Sequence, residues 1–157
     1  IRDEDRIRRY LDLGVGRCIL GTIAVKDFAF TERMAQTYGD RIAVGVDARD
    51  GYVAVSGWKE LSAERGVDFC RRLRDAGVKT VIYTDISRDG AEAGTNLDLY
   101  RELSEIQGLD ITASGCVSSI EELKELQRIG TRAAILGKAL YTGRLDLKTV
   151  IAEVGAC

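Results

Sequence analysis

Short apolar segments of this 157-residue chain end in residues that could bind or react with a small molecule. In parallel α/β proteins the carboxyl ends of the strands meet at one edge, and the reactive groups lie in the loops that follow them. The candidates at these ends are Gly21-Thr22, Asp47, Thr84 with the nearby Asp89, Ser114-Gly115 and Gly137-Lys138. We therefore expect these residues to share one site.

Asp47 is the strongest candidate for acid–base chemistry. It closes the apolar run IAVGV, and a carboxylate in that position is unfavourable unless it is hydrogen-bonded or takes part in chemistry. The alternative is a cap or turn residue, because the Asp50-Gly51 pair that follows is typical of a turn. Thr84 could reflect β-propensity alone, and Asp89 with its following glycine is also compatible with a plain turn.

Glycine-bearing strand ends indicate phosphate binding. Ser114-Gly115 precedes a predicted helix, so backbone N–H groups of the loop and of the helix start converge there. Gly137-Lys138 ends the next strand, and Gly21-Thr22 repeats the pattern earlier in the chain. Each glycine alone is compatible with an ordinary turn. Together they predict two phosphate grips and an anion beside the N-terminus of the helix that starts near Ser118.

Composition excludes several classes of function. The chain has 23 Lys+Arg and 25 Asp+Glu, so no excess of positive charge predicts binding to nucleic acid or an anionic membrane. It has no His, which removes imidazole catalysis and His-based metal sites. Its four Cys are isolated, without a CxxC pair, which predicts reduced thiols in the cytoplasm and no metal site. No apolar run approaches the roughly 20 residues that span a bilayer.

The elements that must position these residues alternate between helix and strand. Helical spacing or capping predicts helices at 1–13, 31–38, 62–76, 96–106, 118–129 and 146–154, the fifth opened by a capping box from Ser118 to Glu121. Apolar runs predict strands at 17–21, 42–47, 80–84, 110–113 and 133–136. Strands that are apolar on both faces and alternate with helices predict an α/β fold with a parallel sheet.

An internal repeat favours a barrel over an open sheet. Residues 1–21 align without gaps on 117–137, and helix, glycine, strand and the final Leu-Gly coincide. Four βα units per repeat predict a (β/α)₈ barrel, of which this chain would hold strands 4–8 in a single domain over 1–157, the first three strands being missing. The alternative is a five-stranded doubly wound domain of the flavodoxin kind.

The longer motifs resemble a known family. VGVDARDGYVAVSGW, YTDISRDG, ASGCVSS and AILGKALYTGRLDL are similar to the ProFAR isomerases of histidine biosynthesis. The resemblance implies a (β/α)₈ barrel that catalyses an Amadori rearrangement, from aminoaldose to aminoketose, of a ribotide with two phosphates. It also implies catalysis without a metal or an organic cofactor.

The resemblance also implies roles for single residues. Asp47 matches a proposed general acid that helps to open the ribose ring, and Thr84 and Asp89 match positions that assist catalysis. Trp58 matches an aromatic residue that stacks on the substrate from a mobile loop. Gly21 and Thr22 would contribute to one phosphate grip. Ser114, Gly115, Gly137 and Lys138 would form the other.

The family's general base is an Asp on the first strand, which this chain does not contain, so we expect the chain alone to be inactive. Two alternatives stay open: the sister cyclase of the same pathway, and a phosphate-binding part-barrel without turnover. The expected partner is a bis-phosphorylated small molecule. No nucleic acid, membrane or second subunit is predicted.

Overall fold

The computed structural model describes residues 1–87, 94–115 and 117–155. Its strands are β1 Cys18–Leu20, β2 Ile42–Arg49, β3 Tyr52–Val55, β4 Glu60–Arg65, β5 Thr80–Asp85, β6 Asp110–Ser114 and β7 Ala133–Ala134. Its α-helices are α1 Glu4–Asp12, α2 Ile23–Lys26, α3 Phe28–Tyr38, α4 Gly66–Asp75, α5 Leu97–Ser104, α6 Ile120–Arg128, α7 Lys138–Tyr141 and α8 Leu147–Val154, and a 3₁₀ turn covers Gly39–Arg41. The fold is α/β, as predicted.

The parallel strands lie side by side in chain order. β2 pairs with β1 and β5, β5 pairs with β6, and β6 pairs with β7, each pair being parallel. A doubly wound sheet would reverse this order at a switch point, and the five parallel strands show no reversal. The flavodoxin-like alternative is therefore wrong.

An antiparallel meander extends β2 where a simple loop was predicted. β2 continues past Asp47 to Arg49, turns at Asp50-Gly51, and pairs antiparallel with β3, which pairs antiparallel with β4. Asp50 and Gly51 both have positive φ, 51° and 84°, as two-residue hairpin turns of the Asp-Gly kind require. The turn prediction for this pair is confirmed.

The prediction that a helix begins at residue 62 is wrong. Residues of β4 form a strand, and α4 begins only at Gly66. β4 has only two apolar residues, Leu61 and Ala63, and is mostly exposed, so no apolar run marked it as a strand. The helical spacing of Val67, Cys70 and Leu73 starts where α4 does.

The two faces of the parallel sheet differ in burial. Leu20, Val44, Val46, Val81 and Tyr83 point to the helices and are almost fully buried. On the opposite face Ile19 lies over Gly45, and it is 50% exposed. Ile135, in the segment after β7, is 47% exposed. The helices therefore cover one face of the sheet and leave apolar side chains accessible on the other.

The start and the end of the chain have matching elements. Adding 116 to the bounds of α1 gives the bounds of α6. Each helix is followed by a glycine with positive φ, 88° at Gly14 and 91° at Gly130. Among the described ranges, every helix is too short or too polar to cross a membrane.

Candidate active site

Three predicted site residues form a row across neighbouring strands. Asp47 on β2 pairs in register with Thr84 on β5, and Thr84 pairs with Ser114 on β6. Paired residues of adjacent strands point to the same face of a sheet. All three are half-buried, on the face that the helices leave open. The row brings a carboxylate and two hydroxyl groups to the carboxyl ends of the strands.

Trp58 contacts the candidate acid directly. Its indole Nε1 donates a hydrogen bond of 2.7 Å to Oδ2 of Asp47, which gives the carboxylate a fixed partner while its other oxygen can contact a substrate. The Trp58 side chain is 41% exposed and so lies at the mouth of the site. The indole therefore lies directly beside one oxygen of the Asp47 carboxylate.

The turn that carries Trp58 has an unfavourable backbone. Ser56, Gly57 and Trp58 have φ of 57°, 68° and 68°, a region that L-residues rarely adopt. Each non-glycine residue there costs about 1–2 kcal/mol. The turn is held by the Asp47 contact, by Arg49 Nη2 donating to the Trp58 carbonyl at 3.5 Å, and by the Ser56 amide donating to Thr22 Oγ1 at 3.3 Å.

Thr22 therefore links the first predicted phosphate grip to the Trp58 turn. Gly21 and Thr22 lie between β1 and α2, and both are half-buried. The Gly21 carbonyl accepts from the Ala24 amide at 2.8 Å, which starts α2. This segment and the Asp47 row lie on the same edge, because β1 pairs in parallel with β2.

The Ser114-Gly115 loop lies against Thr84. Gly115 has φ of 87°, and a Cβ built on it would lie 3.4 Å from Thr84 Cγ2. A glycine at this position thus allows both the left-handed backbone and the close approach of the Thr84 methyl group. Cys116, the next residue, lies outside the described residues.

The predicted cap of α6 is displaced by one residue. Ser119, not Ser118, is the N-cap, and its Oγ accepts from the Glu122 amide at 3.2 Å. The Glu122 carboxylate accepts from the Ser118 amide at 2.9 Å and from the Ser118 hydroxyl at 3.3 Å. The pattern Ser119 to Glu122 fits a capping box as well as Ser118 to Glu121 does, so spacing alone could not choose between them. A carboxylate thus lies where an anion was predicted to bind.

Gly137 and Lys138 follow β7 at the same edge of the sheet. Gly137 precedes α7, and its carbonyl accepts from the Leu140 amide at 3.0 Å. Both residues are exposed. Their position beside β6 is set by the Ile135 amide, which donates to the Ala113 carbonyl at 2.8 Å.

Asp89 lies outside the described residues, but the flanks of its segment are anchored by Asp85. Asp85 Oδ1 accepts from the Ser87 amide at 3.1 Å, and Oδ2 accepts from Asn96 Nδ2 at 3.0 Å. Asp85 thus holds the residues on both sides of 88–93, a role that its position after Thr84 did not indicate. The described part of the chain contains no group of three or more Cys, Asp or Glu side chains that could hold a metal ion.

Comparison with known proteins places these residues in a family. The model of the family described as "Histidine biosynthesis protein" matches residues 1–146. A relative from Brachyspira hyodysenteriae is 49% identical over 151 residues, covering 96% of this chain and 63% of the relative. One from Campylobacter concisus is 48% identical over 156 residues, covering 99% of this chain and 65% of the relative.

Both relatives are named 1-(5-phosphoribosyl)-5-((5-phosphoribosylamino)methylideneamino) imidazole-4-carboxamide isomerase. A third protein of that name, from a Nitratiruptor species, is 48% identical over 149 residues, and its alignment covers 62% of that protein. This chain thus spans slightly less than two thirds of the length of these three relatives. The chain belongs to the histidine biosynthesis protein family.

Proposed function

We propose that this chain carries part of the active site of an isomerase that converts a bis-phosphorylated aminoaldose ribotide into the corresponding aminoketose. The observation that carries the proposal is the row of Asp47, Thr84 and Ser114, with the Trp58 indole bound to Asp47. The names of the relatives support the same reaction type and a substrate with two phosphoribosyl groups.

The proposed architecture is a (β/α)₈ barrel to which this chain contributes five parallel strands. Two features support it: the strand order follows the chain without reversal, and the face carrying Ile19 and Asp47 is left open by the helices. In a barrel that face would be the interior. The equal bounds of α1 and α6 under an offset of 116 support a barrel of two similar halves.

The proposed chemistry needs one acid and one base. The acid protonates the ribose ring oxygen, the C1–O bond breaks, and the ring opens to an iminium ion. The base then removes the proton from C2, the electron pair forms the enolamine, and tautomerisation yields the ketone. No external oxidant or reductant is consumed, because C1 is reduced as C2 is oxidised. Asp47 is the proposed acid.

The remaining groups position the substrate. Thr84 is adjacent to Asp47 on the next strand and is suited to donate a hydrogen bond to a sugar oxygen. Trp58 is the proposed stacking partner for a ring of the substrate, and Asp89 is a second proposed catalytic carboxylate. Gly21-Thr22 and the pair of loops at Ser114-Gly115 and Gly137-Lys138 are the proposed grips for the two phosphates.

The test replaces Asp47 with Asn in the chain joined to the three N-terminal βα units of the Brachyspira relative. We expect isomerisation of the aminoaldose ribotide to fall by about 10²–10⁴-fold, because the group can no longer donate the proton. Binding of the product ribotide should stay within about tenfold, some 1.4 kcal/mol. Turnover is followed spectrophotometrically and binding by calorimetry.

Asp50→Asn is the matched control, since it makes the same chemical change three residues away at an exposed turn. It should leave turnover unchanged. Full activity of Asp47→Asn would exclude Asp47 as the acid. Phosphate binding without any turnover by the unsubstituted joined protein would favour the alternative of a binding part-barrel.

A further inference from the structure

The hydroxyl group of Tyr100 lies between the carboxyl ends of β5 and β6. Tyr100 belongs to α5 and is 1% exposed. Its Oη donates to the Tyr83 carbonyl at 2.8 Å and accepts from the Ser114 amide at 3.2 Å, with the Ser114 carbonyl a further acceptor at 3.1 Å. A side chain from a helix thus bridges the backbones of two strands at the point where they enter the site.

The bridged peptide groups adjoin residues of the proposed site. The Tyr83 carbonyl belongs to the peptide group that it shares with Thr84, and the Ser114 carbonyl belongs to the peptide group that it shares with Gly115. Thr84 Cγ2 lies 3.4 Å from the position of a Cβ on Gly115, so these two strand ends are in contact. A change in the distance between β5 and β6 would therefore move the Gly115 amide relative to Thr84.

A Tyr83→Phe variant separates the effect of the Tyr100 hydroxyl from the effect of losing a buried hydroxyl in the same ring pair. The rings of Tyr83 and Tyr100 meet edge to face, with centroids 6.3 Å apart and an interplanar angle of 82°. Tyr83 is fully buried, and its hydroxyl has no hydrogen-bond partner among the described residues. Replacing each tyrosine by Phe removes one buried hydroxyl and keeps the ring pair, but only at Tyr100 does it remove a bridge between the strands.

We propose that Tyr100 is a positioning residue whose hydroxyl sets the Ser114-Gly115 loop in the geometry that binds a phosphate group. It acts through the Ser114 backbone and touches no substrate itself. The inference rests on the proposed phosphate grip at this loop. The inference adds Tyr100, which lies on the far side of the sheet from the ligand. Neither the strand-end pattern nor the motifs indicated this residue.

The test compares the chain with its Tyr100→Phe and Tyr83→Phe variants by titrating ¹⁵N-labelled protein with inorganic phosphate. In the unsubstituted chain the Ser114 and Gly115 amide resonances should shift on titration. Tyr100→Phe should weaken that binding about fivefold, the equivalent of one lost hydrogen bond of about 1 kcal/mol. Tyr83→Phe, which keeps the backbone carbonyl, should bind within about twofold of the unsubstituted chain.

A second signature comes from the Ser114 amide proton. In Tyr100→Phe it should move upfield and exchange faster with solvent, while other amides of β6 keep their protection. A purely structural role would lower the urea midpoint without changing phosphate affinity in the folded state. Phosphate affinity of Tyr100→Phe equal to that of Tyr83→Phe would overturn the inference.

Two further outcomes are distinguishable. If the unsubstituted chain binds no phosphate at this loop, the proposed grip fails and the inference fails with it. If Tyr100→Phe does not fold, the exchange rate of the Ser114 amide in the unsubstituted chain decides. Exchange as fast as that of an exposed amide would show that the bridge does not exist.

Discussion

One carboxylate, that of Glu122, lies at the start of α6, just after the Ser114-Gly115 loop that we propose to hold phosphate. Glu122 binds the amide and the hydroxyl of Ser118, and the Thr95 hydroxyl donates to the same carboxylate at 3.4 Å. Such a carboxylate stabilises the start of α6, since negative charge is favourable at a helix N-terminus. The same charge opposes the binding of an anion nearby. Glu122 therefore stabilises the start of α6 and lowers the affinity of the proposed site for phosphate.

Replacing Glu122 with Gln should raise phosphate affinity at the Ser114-Gly115 loop. The amide can still accept from the Ser118 amide but carries no charge, and removing a repulsion of about 0.5–1 kcal/mol corresponds to roughly threefold. Glu121→Gln is the control, because Glu121 is exposed in the first turn of the same helix. Equal phosphate affinities for the two variants, measured by NMR titration, would show that Glu122 does not repel the ligand.

At the scale of elements, the β2–β4 meander fixes where α4 starts. The Gly66 amide donates to the Gly51 carbonyl at 2.9 Å, which ties the first residue of α4 to the hairpin turn. A Cβ on Gly66 would overlap Tyr83 Oη. Because Gly66 has no positive φ, this contact and not backbone conformation requires a glycine. Burial raises the pKa of the Tyr83 hydroxyl, so a neutral phenol fills the space.

Gly66→Ala should therefore destabilise the fold, although alanine is the better helix former. We expect about 1–3 kcal/mol from overpacking, measured by urea unfolding. In a Tyr83→Phe background the loss should be smaller, because the closest atom is removed and the next, Cζ, is 2.9 Å away. Gly16→Ala, where nothing lies within 4 Å, is the control. The same loss in both backgrounds would exclude a clash with the hydroxyl.

In the molecule as a whole, the helices leave one face of the parallel sheet uncovered, the face that carries Ile19. Ile19 on β1 and Ile135, directly after β7, are each about half exposed. In the proposed barrel both side chains would line a packed interior. The candidate row of Asp47, Thr84 and Ser114 lies on the same open face, so the proposed barrel would enclose it.

Ile19→Cys tests this arrangement by thiol labelling. In a background with Cys116 and Cys157 replaced by Ser, the remaining native thiols, Cys18 and Cys70, are buried. Burial also raises the pKa of the Cys70 thiol to about 12, so at pH 8 it is protonated and unreactive. We expect Ile19→Cys to label rapidly in this chain, and far more slowly once the chain is joined to the segment of the Brachyspira relative that we propose to supply three N-terminal βα units.

Leu13→Cys is the control for the labelling experiment, because Leu13 is 79% exposed at the end of α1. It should label equally fast in both proteins, as measured by mass spectrometry. Equal labelling rates at position 19 in the two proteins would mean that the added units do not cover this face.

The α/β fold and the candidates for the site could be predicted from local patterns. Apolar runs such as IAVGV and TVIYT predicted parallel strands, because strands of parallel sheets carry apolar residues on both faces instead of alternating apolar and polar ones. Asp50-Gly51 predicted its turn because few residues accept positive φ. The candidate site residues were chosen by their position after these runs, and the strand register brings three of them, Asp47, Thr84 and Ser114, into one row.

Other features depend on contacts between segments that are distant in the chain, so the tertiary structure alone determines them. β4 carries three charged residues and no apolar run, and it is a strand because β3 pairs with it. The Trp58–Asp47 bond and the Tyr100 bridge join residues of different elements, so the periodicity of a single helix or strand does not predict them. That Ser119 rather than Ser118 caps α6 is seen only in the folded chain, where Ser119 Oγ accepts from the Glu122 amide. Strand register and helix placement set hydrogen-bond partners of this kind. Spacing in the sequence can therefore identify the candidate residues, but it cannot predict which residues they contact.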